Sequence, residues 1–189
     1  AEAVRWYQLA ADQGDANAQN YLGAMYATGR GVEQDGAEAV RWYRLAADQG
    51  HADAQFALGL MYFLGRGVPE DDEEAVRWYR LAADQGHADA QSALGLMYMH
   101  GAGAPQDYGE AVRWCRLAAD QGHADAQHNL GDMYRTGRGV PENPGEAIRW
   151  WRMAAEQGHA TALGRLRLIE RARDYIRSLL NRFGFWPYH

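Results

Sequence analysis

Apolar side chains recur along this chain at the spacing of one helical face. Within residues 36–49, Ala39, Trp42, Tyr43 and Ala46 stand at positions i, i+3, i+4 and i+7. This spacing predicts an amphipathic helix. Arg41, Arg44 and Asp48 are expected roughly opposite this face, so we expect the helix to bury one side only.

Capping residues mark where these helices begin and end. Asp35 with Glu38 three residues later is a variant of the capping box, and Gly50 suits the left-handed residue that follows a helix. A second helix is predicted over about 52–64, ending at Gly65. Equivalent starts of the first helix are Asp71 with Glu74, Asp107 with Glu110, and Asn143 with Glu146.

The whole pattern returns every 36 residues. Its tryptophans are Trp6, Trp42, Trp78, Trp114 and Trp150. Four full units are followed by a fifth that begins in the same way and diverges after Ala162. Because one unit cannot bury its apolar face alone, the period predicts an all-α solenoid of stacked antiparallel helix pairs, with about ten helices.

Each second helix contains a glycine near its centre, such as Gly59. Glycine in a helix interior costs about 0.8–1 kcal/mol relative to alanine. We therefore expect a neighbouring helix to approach closely there, with rings of the Trp42 type filling the space.

Composition and charge narrow the possible functions. The 189 residues include 19 basic and 25 acidic side chains, for a net charge of -6, which argues against nucleic acid as the main partner. All 19 basic residues are arginine, which excludes P-loop and Schiff-base lysines. No apolar run approaches the roughly 18 residues of a membrane helix. Cys115 is the single cysteine, so we expect no internal disulfide and a core-filling thiol.

Neither a cofactor nor a metal ion is expected. The Gly-x-Gly turns follow helices rather than strands, which is the wrong context for a phosphate-binding loop. The recurring histidines lie between the two helices of a unit, where we expect N-cap residues rather than metal ligands, because equivalent positions of packed helices are about 8–10 Å apart. They are His51, His87, His123 and His159.

The pattern Ala-x-x-Trp-Tyr-Arg-x-Ala-Ala-Asp-Gln-Gly-x-Ala-x-Ala-Gln-x-x-Leu-Gly-x-Met-Tyr-x-x-Gly-x-Gly-Val resembles the Sel1-like repeat over residues 1–162. The resemblance implies a right-handed superhelix whose first helices line a concave groove. It also implies work as an adaptor, scaffold or inhibitor, and it favours the bacterial periplasm or secretion. One branch of the family pairs cysteines in each repeat, and this chain departs from it. Because Ala1 already lies inside the pattern, we expect a trimmed chain whose missing leader says nothing about compartment.

The first candidate binding surface is formed by arginines of the first helices. At 100° per residue they are expected opposite the Trp42 face, as a groove for an acidic segment of another protein. Nine arginines against five interleaved acids give this face +4. The alternative is a solvated face on which Arg–Asp pairs cancel. The candidate residues are Arg41, Arg44, Arg77, Arg80, Arg113 and Arg116.

The second candidate surface consists of the positions at which the units differ. They are spaced i, i+4 and i+7 on the second helices, so they are expected to share one face available to a partner. The alternative is that they pack against the first helix of the next unit. The apolar candidates are Phe56, Leu60, Phe63, Leu96 and Met99.

The end of the chain differs from the repeats. Residues 163–182 are predicted to form a basic capping helix that seals the last repeat, with a membrane-surface helix as the alternative. Residues 183–189 form an aromatic tail expected to fold back or to mediate self-association. Its aromatic residues are Phe183, Phe185, Trp186 and Tyr188.

These observations predict a non-enzymatic module that binds another protein, as an adaptor or scaffold, through the concave groove. The alternative within the same class is an inhibitor or immunity protein that clamps a toxic secreted effector. A third hypothesis is an enzyme acting on cell-wall material through paired carboxylates. Its test set is Glu70, Asp71, Asp72 and Glu73.

Overall fold

Ten α-helices in sequential antiparallel pairs make up residues 2–182, the part of the chain that the computed structural model describes. Each helix packs chiefly against the helices before and after it in sequence, so the pairs form a solenoid, as predicted. The first helices are α1 (Glu2–Asp12), α3 (Gly36–Asp48), α5 (Asp72–Asp84), α7 (Tyr108–Asp120) and α9 (Pro144–Glu156). The second helices are α2 (Ala16–Thr28), α4 (Ala52–Phe63), α6 (Ala88–His100), α8 (Ala124–Thr136) and α10 (Ala160–Arg182).

The predicted caps start these helices. The Asp35 side chain accepts hydrogen bonds from two backbone amides in the first turn of α3. The second helices after α2 use histidine in this role, as expected, and Nδ1 of His87 accepts from the amide of Ala90 at 3.2 Å. Because Nδ1 accepts, the ring proton lies on Nε2, which contacts the Asp53 carboxylate of the preceding repeat at 3.3 Å. Each histidine therefore caps one helix and ties it to the repeat before it.

The tryptophans seal one pair of helices against the next. Trp78 of α5 joins the buried cluster of Ala54, Leu58 and Met61 in α4. Trp42, Trp114 and Trp150 pack in the same way on the second helix before them. Trp6 is exposed, since no helix precedes α1 among the described residues.

The helix-centre glycine accommodates a different ring from the one predicted. A Cβ added at Gly59 would lie 2.7 Å from the ring of Tyr79, not beside a Trp42-type ring. The residue that follows the tryptophan of the next first helix occupies the space beside this glycine, which we call the glycine notch. The matched contacts are Gly23 with Tyr43, Gly95 with Cys115, and Gly131 with Trp151.

A ladder of glutamines runs between the repeats. Nε2 of the buried Gln91 donates to the Ala83 carbonyl at 3.1 Å, and its Oε1 accepts from Gln121 of the next first helix at 2.7 Å. The same two bonds recur at Gln19, Gln55 and Gln127. One buried side chain thereby satisfies a helix-end carbonyl and links three successive helices.

The last helix corrects a predicted boundary. The capping helix expected over 163–182 begins at Ala160, because it continues the second helix of the fifth repeat. Its Leu166 and Ile169 pack on Ala147 and Trp151, which seals the last first helix. The aromatic tail, residues 183–189, lies outside the described residues.

Candidate functional site

The outward side of the first helices carries one row of paired arginines. Arg41 contacts the Glu38 carboxylate one turn earlier at 2.9 Å. The same pair recurs as Arg77–Glu74, Arg113–Glu110 and Arg149–Glu146, at 3.0–3.3 Å. The alternative interpretation of this face paired its arginines with the interleaved aspartates, whereas the arginines of this row contact glutamates. Glutamate was overlooked because its capping-box position suggested a role at the backbone.

These arginines also lie beside the tryptophans rather than opposite them. The Arg41 guanidinium carbon is 4.0 Å from the ring centroid of Trp42. Arg77, Arg113 and Arg149 take the same position over their own tryptophans at 4.6–5.4 Å. The expected orientation is therefore corrected: a guanidinium lies over the ring of each of these four buried tryptophans.

A second row of arginines bridges the two helices of a pair. Arg44 donates to the hydroxyl of Tyr62, which lies on the following second helix. Arg80 and Arg116 make the same bond to Tyr98 and Tyr134. A phenol is neutral, so these bonds orient the guanidinium without cancelling its charge.

An exposed leucine lies beside the two arginine rows in four successive first helices. Leu9, Leu45, Leu81 and Leu117 are 41–48% exposed and repeat every 36 residues. Around Leu45 a depression of about 530 Å³ is lined by Ala37, Val40, Arg41, Arg44 and Asp48. Sequence reasoning missed these leucines, although their constant spacing was a signal that could have found them.

The charge of the first-helix face is balanced. Adding the four paired glutamates to the five interleaved acids gives nine acids against nine arginines. The predicted +4 is therefore wrong for the face as a whole. What distinguishes this face is the alternation of exposed leucine and arginine.

The second-helix candidates divide into two groups. Leu60, Phe63 and Leu96 are exposed, as expected of a shared outer face. Phe56 and Met99 do not belong to that face. The Phe56 ring stacks on His87 with centroids 4.9 Å apart, and Met99 packs against the core cluster of the next repeat. The alternative reading, packing against the next unit, holds for these two residues.

A polar cluster unlike the other repeats joins α8 to α10. His128 stacks on His159 with ring centroids 4.6 Å apart, and Arg165 reaches the Asp132 carboxylate at 3.2 Å. Burial lowers the pKa of His128 below its usual range, although the nearby Asp132 opposes that shift. His159 and Arg165 lower it further.

Groups that could support catalysis are engaged or scattered. Asp71 caps α5, accepting from the Glu74 amide at 3.0 Å, while Glu70 and Glu73 are exposed. Burial raises the pKa of the Cys115 thiol to about 12. Among the side chains that the structure describes, no three His, Cys, Asp or Glu residues are arranged to hold a metal ion.

None of the helices within residues 2–182 is long and apolar enough to cross a membrane.

Comparison with known proteins places the chain among repeat proteins. The family model described as Sel1 repeat matches residues 1–15, 16–51, 52–87, 88–123 and 124–159. No curated protein matches the chain.

Three solved structures are similar to this one. A protective antigen of uropathogenic Escherichia coli, c5321, is 41% identical with a TM-score of 0.84 over 86% of this chain and 35% of the antigen. A Sel1 repeat protein from Oxalobacter formigenes is 42% identical with a TM-score of 0.76 over 79% of this chain and 60% of its own. The immunity protein Pa5087 from Pseudomonas aeruginosa is 25% identical with a TM-score of 0.54, covering 84% of this chain and 59% of that protein.

The chain thus spans about a third of the length of the antigen and 60% of the Oxalobacter protein. The family model covers nearly the whole solenoid, and its repeats follow the same 36-residue period as the helix pairs. This chain belongs to the Sel1 repeat family.

Proposed function

We propose that this protein is a non-enzymatic binding module that holds a partner polypeptide along the outward face of its first helices, as an adaptor or scaffold. The observation that carries the proposal is the row of exposed leucines beside two rows of arginines. None of these leucines is needed to fill the core, because the tryptophans, alanines and tyrosines of the same helices do so.

The chemistry of the face suggests the kind of segment it would take. Leu45, Leu81 and Leu117 offer apolar contacts at regular intervals. The charge of Arg44, Arg80 and Arg116 is left available by their bonds to neutral phenols. A segment that carries both apolar and acidic side chains satisfies both rows.

The proposal can be tested by capture of partners from a lysate of the source cells. A variant in which Leu45, Leu81 and Leu117 are all replaced by glutamine should no longer capture any protein that the unaltered chain retains at stoichiometric level. A matched variant, with Leu60 and Leu96 changed to glutamine, should retain it. If the first-helix variant captures as well as the unaltered chain, the proposal fails.

Charge reversal tests the acidic segment separately. Changing Arg77, Arg80 and Arg113 to glutamate lowers the net charge by six and should abolish capture of an acidic partner. Capture that persists after reversal, but is lost in the leucine variant, would show that the partner is recognised by its apolar side chains alone.

A second candidate is an inhibitor or immunity protein that clamps a toxic effector. The specific observation in its favour is the similarity to the Pseudomonas aeruginosa immunity proteins Pa5087 and PA5088, at 25% and 26% identity. The same capture experiment separates the two: an inhibitor should retrieve one stoichiometric effector, and a scaffold several components of one assembly.

A further inference from the structure

The last helix extends well beyond the repeat that it seals. α10 has 23 residues, whereas the other second helices have 12 or 13. Leu166 and Ile169 pack on the solenoid, but every residue from 170 to 178 is exposed. The second half of α10 therefore has few contacts with the rest of the protein. A helical segment as short as this half is only marginally stable by itself in water.

The projecting half carries an apolar seam. Leu168, Tyr175 and Ile176 are 62%, 66% and 54% exposed. Leu168, Ala172, Tyr175 and Leu179 follow one another at steps of four, three and four residues. This spacing is typical of the a and d positions of a coiled coil, and Ile176 lies beside the seam at an e position.

Another Sel1 first helix does not fit on α10. At the place where Gly131 of α8 admits the Trp151 ring, α10 has Arg167, 36 residues later. At the place of the ladder residue Gln127 it has Leu163. Both contacts that join one pair to the next are therefore missing from α10.

Charge identifies the kind of helix that would fit. α10 contains six arginines against Glu170 and Asp174, so it carries +4 in a chain whose net charge is -6. Arg171 lies beside the seam at a g position, one of the positions that form interhelical ion pairs in coiled coils, and Arg167 lies on the same side of α10 at a c position. A second copy of α10 would bring like charges together.

From these observations we propose that the seam of α10, residues 168–179, docks an acidic amphipathic helix of a partner protein as a two-helix coiled coil. This surface is separate from the first-helix face and does not depend on the function proposed for it.

A synthetic helix tests the proposal on the full chain. The probe is a three-heptad peptide with leucine at a and d and glutamate at e and g, compared with a peptide that has glutamine at e and g. We expect saturable binding of the acidic peptide by titration calorimetry, and weaker binding of the glutamine peptide. Changing Leu168 and Tyr175 to glutamine should weaken binding by about tenfold or more, since both side chains would lie in the centre of the contact. Both are exposed, so the thermal midpoint should not change.

A matched pair of charge variants separates the seam from general attraction. Arg167→Glu with Arg171→Glu alters the side of the seam, whereas Arg173→Glu with Arg177→Glu alters the opposite side of α10 by the same charge. The first should lose binding by about tenfold, and the second should stay within about threefold. Equal losses would overturn the proposal.

Two other occupants are outcomes of the same test. Binding of the full chain to vesicles rich in phosphatidylglycerol, with no binding of the acidic peptide, would assign the seam to a membrane surface. A dimer in sedimentation equilibrium that the Leu168 and Tyr175 substitutions convert to a monomer would assign it to a second copy. Either result would overturn the proposed acidic helix.

Discussion

At the scale of single residues, the glycine notch in α2, α4, α6 and α8 decides how closely two helix pairs approach. Gly59→Ala would place a methyl group 2.7 Å from the ring of the buried Tyr79. Alanine favours the helix by about 1 kcal/mol, but overpacking a filled core costs about 1–3 kcal/mol. We expect Gly59→Ala to lower the free energy of unfolding by up to about 2 kcal/mol, measured by urea titration.

Gly164 of α10 provides the matched control. A Cβ there would meet no atom within 4 Å, so only helix propensity changes. Gly164→Ala should raise the free energy of unfolding by about 0.5–1 kcal/mol. If both substitutions stabilise the protein, close approach is not what retains glycine at position 59.

The pKa of His128 predicts a dependence of stability on pH. Burial lowers this pKa in the folded protein, so on acidification the unfolded chain takes up the proton first. The contribution of His128 is complete above its ordinary pKa and is lost as the pH falls through and below that value.

His128→Gln removes this titration and leaves the other histidines. We expect the thermal midpoint of the unaltered protein to fall more steeply than that of His128→Gln between about pH 8 and pH 5. Parallel curves for the two proteins would contradict the assignment of the lowered pKa to this site.

At the scale of elements, the glutamine ladder holds successive helices in register. Gln91→Leu keeps the side-chain volume but removes two hydrogen bonds, the one to the Ala83 carbonyl and the one from Gln121. A hydrogen bond contributes about 0.5–1.5 kcal/mol net, so we expect a loss of about 1–3 kcal/mol in urea unfolding. Gln106 makes a similar bond to the Met99 carbonyl at an exposed position, so Gln106→Leu should change stability by less than about 0.5 kcal/mol.

The sequence predicted these elements well because their signals are local or periodic. Asp35 caps α3 as expected, and the 36-residue step alone required that the units stack. The period does not say which neighbour covers a given side chain, and for that reason Phe56 was placed outside and Gly59 was matched to the wrong ring.

The start of α10 was missed for a related reason. The repeat pattern fades after Ala162, yet His159 still caps the helix and its backbone continues without a break. On the first-helix face, the pairing of Arg41 with Glu38 could not be separated by sequence from a capping-box role. At α10 a continuous helix is divided by the sequence analysis because its repeat markers change. At Glu38 one sequence position is compatible with two side-chain roles.

At the scale of the whole molecule, protection from hydrogen exchange should differ along the solenoid. The backbone of α6 lies between packed pairs, whereas residues 170–182 of α10 are largely exposed. We expect amides of residues 170–182 to exchange faster than those of α6 by orders of magnitude in native-state measurements. Equal protection would mean that the projecting half of α10 is already covered in the isolated protein.

The bonds between repeats join residues at constant offsets, such as Gln55 to Gln85 and Gln91 to Gln121. Each junction is therefore specified by two adjacent units alone. In-frame recombination between the corresponding stretches of DNA can remove or duplicate an internal unit and recreate the same junction. The reach of such a molecule can then evolve by copy number, with no new packing solution to be found.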